Sequence, residues 1–270
     1  MTAIWGRSVT AELSWLTPQG PVGIPVVPLV WPAQDPTEPE ERPCVALPLA
    51  HLDVIDTLTD GLATLSVTDG ATRETGFVAT GHVTVTPDIE GVLFAEHLVE
   101  QECYKHPPSR LRVDSLMARR ENWWWMARMI VTFVSCSSER EIPARRKHTD
   151  ALVVHEEAHR PRVDMVEVGE WPRKPGAQIE VQSPSEVEFA SRASPAYLFG
   201  HQHSPDFERW ERWYRSGELA GTTMTVAAAS GDPEADPQPF RLFSRLRNHW
   251  DVSRACRAGI AIAEHRGLRG

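Results

Sequence analysis

Short apolar, β-branched runs, each closed by a proline or glycine turn, commit the first half of this chain to antiparallel sheet. Ala11–Leu16 and Val22–Trp31 flank the turn Thr17-Pro18-Gln19-Gly20-Pro21, a pattern that predicts a hairpin. Cys44–Leu49 predicts a third strand. Leu62–Thr68 and Gly76–Thr86 predict two more, joined by a charged turn, and Met129–Cys136 (MIVTFVSC) is the most strand-like run in the chain. Residues 32–42 (PAQDPTEPEER) read as an acidic, proline-rich loop.

Helical spacing is sparser. Leu52, Ile55 and Leu58 share one face between His51 and Asp60, with Gly61 placed for a left-handed stop. Asp88 is placed to cap a helix running to about Tyr104, which Pro107 and Pro108 end, and Ser115 to cap another over Leu116–Trp125. The expected class is mainly β with helices (α+β). Later, strands are expected near Leu152–Val154, Val163–Val168 and Thr222–Ala228, and residues 171–185 read as a proline-rich linker. Ser204-Pro205 predicts the start of a helix carrying Phe207, Trp210 and Tyr214. Gly231–Pro239 reads as a loop and Trp250–His265 as a closing amphipathic helix. No internal repeat is visible in the sequence.

A formal net charge of −9 over 270 residues argues against a general nucleic-acid binder. No run approaches about 18 apolar residues, and the first residues lack a signal peptide's apolar stretch, so the expected address is the cytoplasm, with no membrane partner. Cys44, Cys103, Cys136 and Cys256 form no CxxC pair and read as reduced thiols, with Cys103 set beside cations able to activate it.

Against that acidic background, residues 101–128 (QECYKHPPSRLRVDSLMARRENWWWMAR) stand out. Lys105, Arg110, Arg112, Arg119, Arg120 and Arg128 face only Asp114 and Glu121 from Lys105 onward, interleaved with Trp123, Trp124 and Trp125. Guanidinium forks pair with phosphate or carboxylate and stack on indoles, so the composition suits a flat anion. A salt-bridged helix with core tryptophans is the competing reading. Successive helical residues diverge by about 100°, so at least one of the three indoles is core.

Other motifs are weaker. His155-Glu156-Glu157-Ala158-His159 matches the zinc pattern HExxH, but a strand signal precedes it and Pro161 follows, so a polar turn between two strands is expected. His201-Gln202-His203 places two imidazoles on one side of an extended segment, a weak metal pattern. Arg145-Arg146-Lys147-His148 reads as a solvated basic cluster. There is no Gly-rich phosphate loop and no GxSxG elbow.

The order strand, strand, strand, short helix, strand, strand resembles the split β-barrel of the pyridoxamine 5′-phosphate oxidase-like flavoproteins. The residues that carry the likeness are AELSWLTPQGPVGIPVVPLVW (Ala11–Trp31), CVALPLAHLDVIDTLTDGLATLSVTD (Cys44–Asp69) and GFVATGHVTVTPD (Gly76–Asp88). EQECYKHPPSR, DSLMARRENWWWMARMIV and PRVDMVEV resemble an actinobacterial branch of these proteins, and the likeness covers most of residues 10–170. It implies a split barrel of the FMN-binding type over residues 1–170, with residues 171–270 a helical or extended C-terminal extension packed on it. It further implies a homodimer holding FMN, or in related branches a deazaflavin or haem, at the subunit interface, in an oxidoreductase-like role on an unspecified small-molecule substrate.

In that reading Lys105, Arg119, Arg120 and Arg128 hold anionic groups and Trp123 and Trp124, with Trp125, offer stacking faces. His51 assists near the phosphate. Where flavin-binding members carry basic and hydroxyl residues, this chain has Pro48-Leu49-Ala50-His51-Leu52-Asp53. Two alternatives stand beside it: a haem-binding member with His201, His203 or His51 as axial ligand, and a cofactor-free barrel that binds a small molecule or partner after losing the flavin phosphate site.

Overall fold

The hairpin turn expected over Thr17–Pro21 tightens to Pro18 and Gln19, and the first sheet grows from it. In a computed structural model β1 (Ala11–Thr17) and β2 (Gly20–Val26) pair with Ala11 opposite Val26 and Thr17 opposite Gly20. The residues described are 1–33, 41–51, 56–70, 75–115, 117, 119–147, 149–185 and 187–268, without the side chains of Arg120 and Glu121. With β3 (Leu29–Trp31), β4 (Arg42–Pro48), β5 (Gly61–Val67), β6 (Thr75–Asp88) and β7 (Arg128–Pro143), the strand order is β2-β1-β5-β6-β7-β4-β3.

This sheet is rolled. Laid flat, strands about 4.8 Å apart would hold β2 and β4 roughly 24 Å from one another. Instead Ile24 and Val26 of β2 share one core with Val45 and Leu47 of β4, together with Leu13, Trp15, Leu65, Val67, Val83, Val131 and Phe133. The two edge strands, β2 and β3, are halves of a single stretch broken at Val27 and Pro28, so the chain itself bridges the seam. Helix α1 (Thr2–Arg7) lies against β3 and β4, where Trp5 Nε1 donates to the carbonyls of Leu29 and Cys44.

The remaining strands make a second sheet, closed into a barrel: β8 (Asp150–Glu157), β9 (Arg160–Val168), β10 (Gln178–Gln182), β11 (Ser194–His203), β12 (Trp210–Ala220) and β13 (Thr223–Ser230), in the order β10-β13-β12-β11-β8-β9. Val153, Val166, Ile179, Val181, Leu198, Met224 and Val226 fill it. The expected boundary at residue 170 therefore falls inside a barrel, because β9 pairs with β10 across it. The expected linker contains β10, whose Ile179 and Val181 point inward.

Three helix expectations also change. After Ser204 the chain turns rather than coils: Ser204 Oγ accepts from the Arg209 amide and donates to Asp206, Phe207 takes φ 58°, and Trp210 begins a strand. The helical spacing of Phe207, Trp210 and Tyr214 is coincidental, since aromatic residues also suit a pleated surface. Asp88 ends β6, and its carboxylate accepts from the Phe94 amide ahead of a π turn (Phe94–Leu98) and α2 (Val99–Lys105). Pro107 opens α3 (Pro107–Val113), and Arg120–Trp125 is a 3-10 turn rather than part of an α-helix, with Leu116 and Ala118 outside the described residues.

Of the helix expected over residues 51–60, residues 52–55 lie outside the described chain; Leu49–His51 is a 3-10 turn and Gly61 opens β5. The closing helix α4 (Leu242–His265) starts earlier than expected and packs on the Leu49–His51 and Arg120–Trp125 turns. None of the described helices is long and apolar enough to cross a membrane.

Gly81 sits at a bulge in β6, where an added Cβ would lie 1.9 Å from the Ser135 carbonyl oxygen. Gly81→Ala should lower stability by about 2 kcal/mol or more, through forced displacement of β7. Urea denaturation measures it, and an unchanged midpoint would refute the β6–β7 register.

Candidate functional site

The basic, aromatic island does not converge on one ligand. Arg128, the first residue of β7, is buried: its guanidinium bonds Glu102 Oε1 at 3.2 Å, donates to the carbonyls of Trp125 and Ala127, and lies 4.2 Å from the Phe94 ring centroid. Glu102 also accepts from Ser109 Oγ at 2.5 Å. Burial alone would raise the Glu102 carboxyl, but the Arg128 charge, with His106 and Ser109, holds it below its ordinary value.

Lys105 Nζ donates to the Pro28 carbonyl at the break between β2 and β3, and burial pulls its pKa down to about 8. Trp124 and Trp125 are core, packed with Phe94, Leu98, Ile130 and Cys256, and Trp125 Nε1 donates to the Met117 carbonyl. Trp123 is half-buried. Arg119 and His51 are exposed, and the Arg120 side chain lies outside the described residues. Arg128, Trp124 and Trp125 thus come together, whereas Arg119 is exposed and Lys105 is spent on the Pro28 carbonyl. Cys103 is not activated either: burial, then Glu102 and Asp114, raise its thiol despite Arg110.

What the fold gathers instead centres on Arg112 of α3, which the sequence offered as one cation among six. Half-buried, it lies 5.9 Å from the Trp124 ring and 6.0 Å from the Trp125 ring, and its guanidinium forms no hydrogen bond or ion pair with the described residues. Its nearest charges are Arg128, Glu102 and Glu208, and burial followed by Arg128 draws its proton affinity down. His249 of α4 meets Trp124 edge-on at 5.5 Å, and His106 Nδ1 lies 3.0 Å from Ser109 Oγ. Burial lowers the pKa of both imidazoles, so each is neutral at pH 7 with a single N–H; because Ser109 Oγ gives its own proton to Glu102, the His106 N–H is spent on Ser109, which leaves that of His249.

The turn Ser204–Arg209 of the second barrel completes this region. Its Phe207 backbone bonds His106, while Asp206 and Glu208 hold Arg245 of α4 at 3.5 and 2.6 Å. Chemically the arrangement is a cation over aromatic faces flanked by neutral imidazoles, which suits an anion with a flat body. No signal in the sequence separated Arg112 from Arg110 or Arg119, since the difference is the burial that α4 and the second barrel impose.

The histidine motifs have structural partners. His201 is buried, with Nε2 2.9 Å from Glu12 Oε1 and 2.7 Å from Arg145 Nη2, so that nitrogen is occupied; Nδ1 has no partner. Arg145, expected in solvent, has a side chain only 9% exposed in the segment joining the two sheets; Arg146 and Lys147 are exposed, and His148 lies outside the described residues. His203 Nδ1 bonds the Ser204 carbonyl and its ring stacks on Phe207 at 3.9 Å. Ala158 and His159 form the expected turn between strands, both at positive φ, and His155 pairs with Asp164. Among the described residues no three potential ligands cluster to hold a metal. Compared with protein-family models, curated proteins and solved structures, the chain matches none of them.

Replacing Glu102 by Gln leaves Arg128 buried without its counter-charge and should cost about 3–5 kcal/mol near neutral pH. Because the folded carboxyl sits below its ordinary value of 4.5, this contribution is complete above that pH and is lost as pH falls through the lower, folded value. Denaturation of both proteins across acid pH should show the gap closing; a gap independent of pH would contradict the pairing.

Proposed function

We propose that the chain is a split-barrel protein of the pyridoxamine 5′-phosphate oxidase-like class that binds a small, flat anion beside Arg112. Arg112 supplies the charge, Trp124 an aromatic face, and His249 a neutral donor. The observation that carries this reading is a half-buried guanidinium laid against two indoles with no carboxylate of the described residues paired to it. The rolled first sheet, with its seam at Val27 and Pro28, supports the split-barrel assignment.

FMN, a deazaflavin or haem are the cofactors the family resemblance implies, and each combines a flat ring with anionic groups. The charge balance favours the cofactor-free alternative within that class. An FMN phosphate carries about two negative charges and calls for several charge-assisted bonds. Lys105 and Arg128 are held by a carbonyl and by Glu102, which leaves, among the described half-buried cations of the island, the Arg112 fork, a match for one carboxylate or phosphodiester.

Titration of the protein with FMN, haemin, a deazaflavin and a series of aromatic carboxylates, followed by tryptophan fluorescence, tests this. An aromatic carboxylate should bind, and Arg112→Ala should weaken it by about 1.5–3 kcal/mol while Arg110→Ala, at an exposed position, leaves it unchanged. Equal affinity in the Arg112 variant, or binding by no member of the series, would remove the proposal.

A further inference from the structure

The second barrel repeats the first strand for strand, and we infer that the chain is an internal pair of equivalent barrels, each occupying the face on which the other would otherwise receive a second chain. The registers agree residue by residue. Ala11 opposes Val26 and Ala151 opposes Val166, and both hairpins close in step, Thr17 on Gly20 and Glu157 on Arg160. The third pairings match as well: Leu65 lies opposite Leu13 and Ala63 opposite Trp15, as Leu198 lies opposite Val153 and Ala196 opposite His155.

The next strand carries the strongest mark. Ala63 opposes Gly81 and Ala196 opposes Gly217, each glycine sits at a bulge, and a Cβ added to either would lie 1.9 Å from the carbonyl oxygen of the following strand, Ser135 or Thr225. Two independent sheets have no physical reason to share connectivity, register and a bulge glycine at one place. The closures correspond too: β9 runs on to pair with β10, as the stretch holding β2 and β3 pairs with β4.

The packing is reciprocal. β2 lies on β8 and β11, while β9, its counterpart, lies on β1 and β5. Counting along the matched registers, Thr68 and His201 are equivalent positions, and both bond Glu12 Oε1, at 2.6 and 2.9 Å. Equivalent residues meeting on one atom place a local two-fold axis beside Glu12. The counterpart of Glu12 is Leu152, so the polar lock is made once and the two halves have diverged. In this reading residues 150–230 supply, within one chain, the partner that the family resemblance would assign to a second subunit.

A Cβ on Gly20 would stand 3.5 Å from Pro195 Cβ across the pair, within disulfide reach. With Cys103 and Cys136 changed to Ser, Gly20→Cys with Pro195→Cys should oxidise to a link inside one 30.2 kDa chain, read by non-reducing electrophoresis and peptide mapping. A link between two chains, or none, would overturn the inference. Because Gly20 has φ 122°, the unmodified protein provides a second measurement. In a mixture of isotope-labelled and unlabelled chains, filtered nuclear Overhauser spectra should place the Phe199 ring against Gly23 within one chain; a contact between chains would refute the pairing.

Discussion

Glu12 is a carboxylate with almost no exposure, and its two oxygens accept from Ser66 and Thr68 of the first barrel's region, from His201 of the second, and from Arg145 in the segment between them. Burying a charge costs several kcal/mol, and only a complete set of partners offsets it. Burial would raise the carboxyl, yet the His201 bond and the Arg145 charge hold it below its ordinary value. An isolated first barrel would lack His201, leaving Glu12 short of a partner. The mutual placement of the barrels is therefore coupled to the ionisation of one residue, and apolar contact elsewhere in the seam, such as Phe199 filling the space above Gly23, works in the same direction.

A second buried pair, Glu102 with Arg128, organises the helical cap. It joins α2 to the first residue of β7 and fixes the indoles of Trp124 and Trp125 beneath α4. Arg112 is drawn into the same region by cation–aromatic contact, but Glu102 is already engaged by Arg128 and Ser109, so Arg112 has no ion pair among the described residues. Competition for one carboxylate is what makes one arginine of the island chemically distinct from the rest.

The hairpins were legible because their turns are local. Pro18-Gln19 and Ala158-His159 lie between runs whose alternation survives any tertiary context, and β4 to β7 follow from β-branched content. The helix expected after Ser204 failed because spacing alone cannot separate an aromatic strand from an amphipathic helix over so short a stretch. β10 was missed because a single five-residue strand flanked by prolines resembles a linker until a neighbouring strand claims its backbone groups. The duplication was invisible for a related reason: the halves agree in register and in glycine placement, while the side chains that meet across the seam, Glu12 against Leu152 and Thr68 against His201, differ.

By itself the sequence determined the β-rich class, the positions of most strands and the existence of a basic, aromatic island in an acidic chain. These depend on neighbours a few residues apart. Tertiary structure decided that residues 150–230 close a barrel of their own beside the rolled first sheet, that the buried Arg128 and the largely buried Arg145 are counter-charges, and that Arg112 has no such partner among the described residues. Burial and charge pairing depend on residues brought together from distant parts of the chain, as Glu12 and His201 are, and no local pattern encodes which cation a given carboxylate will hold.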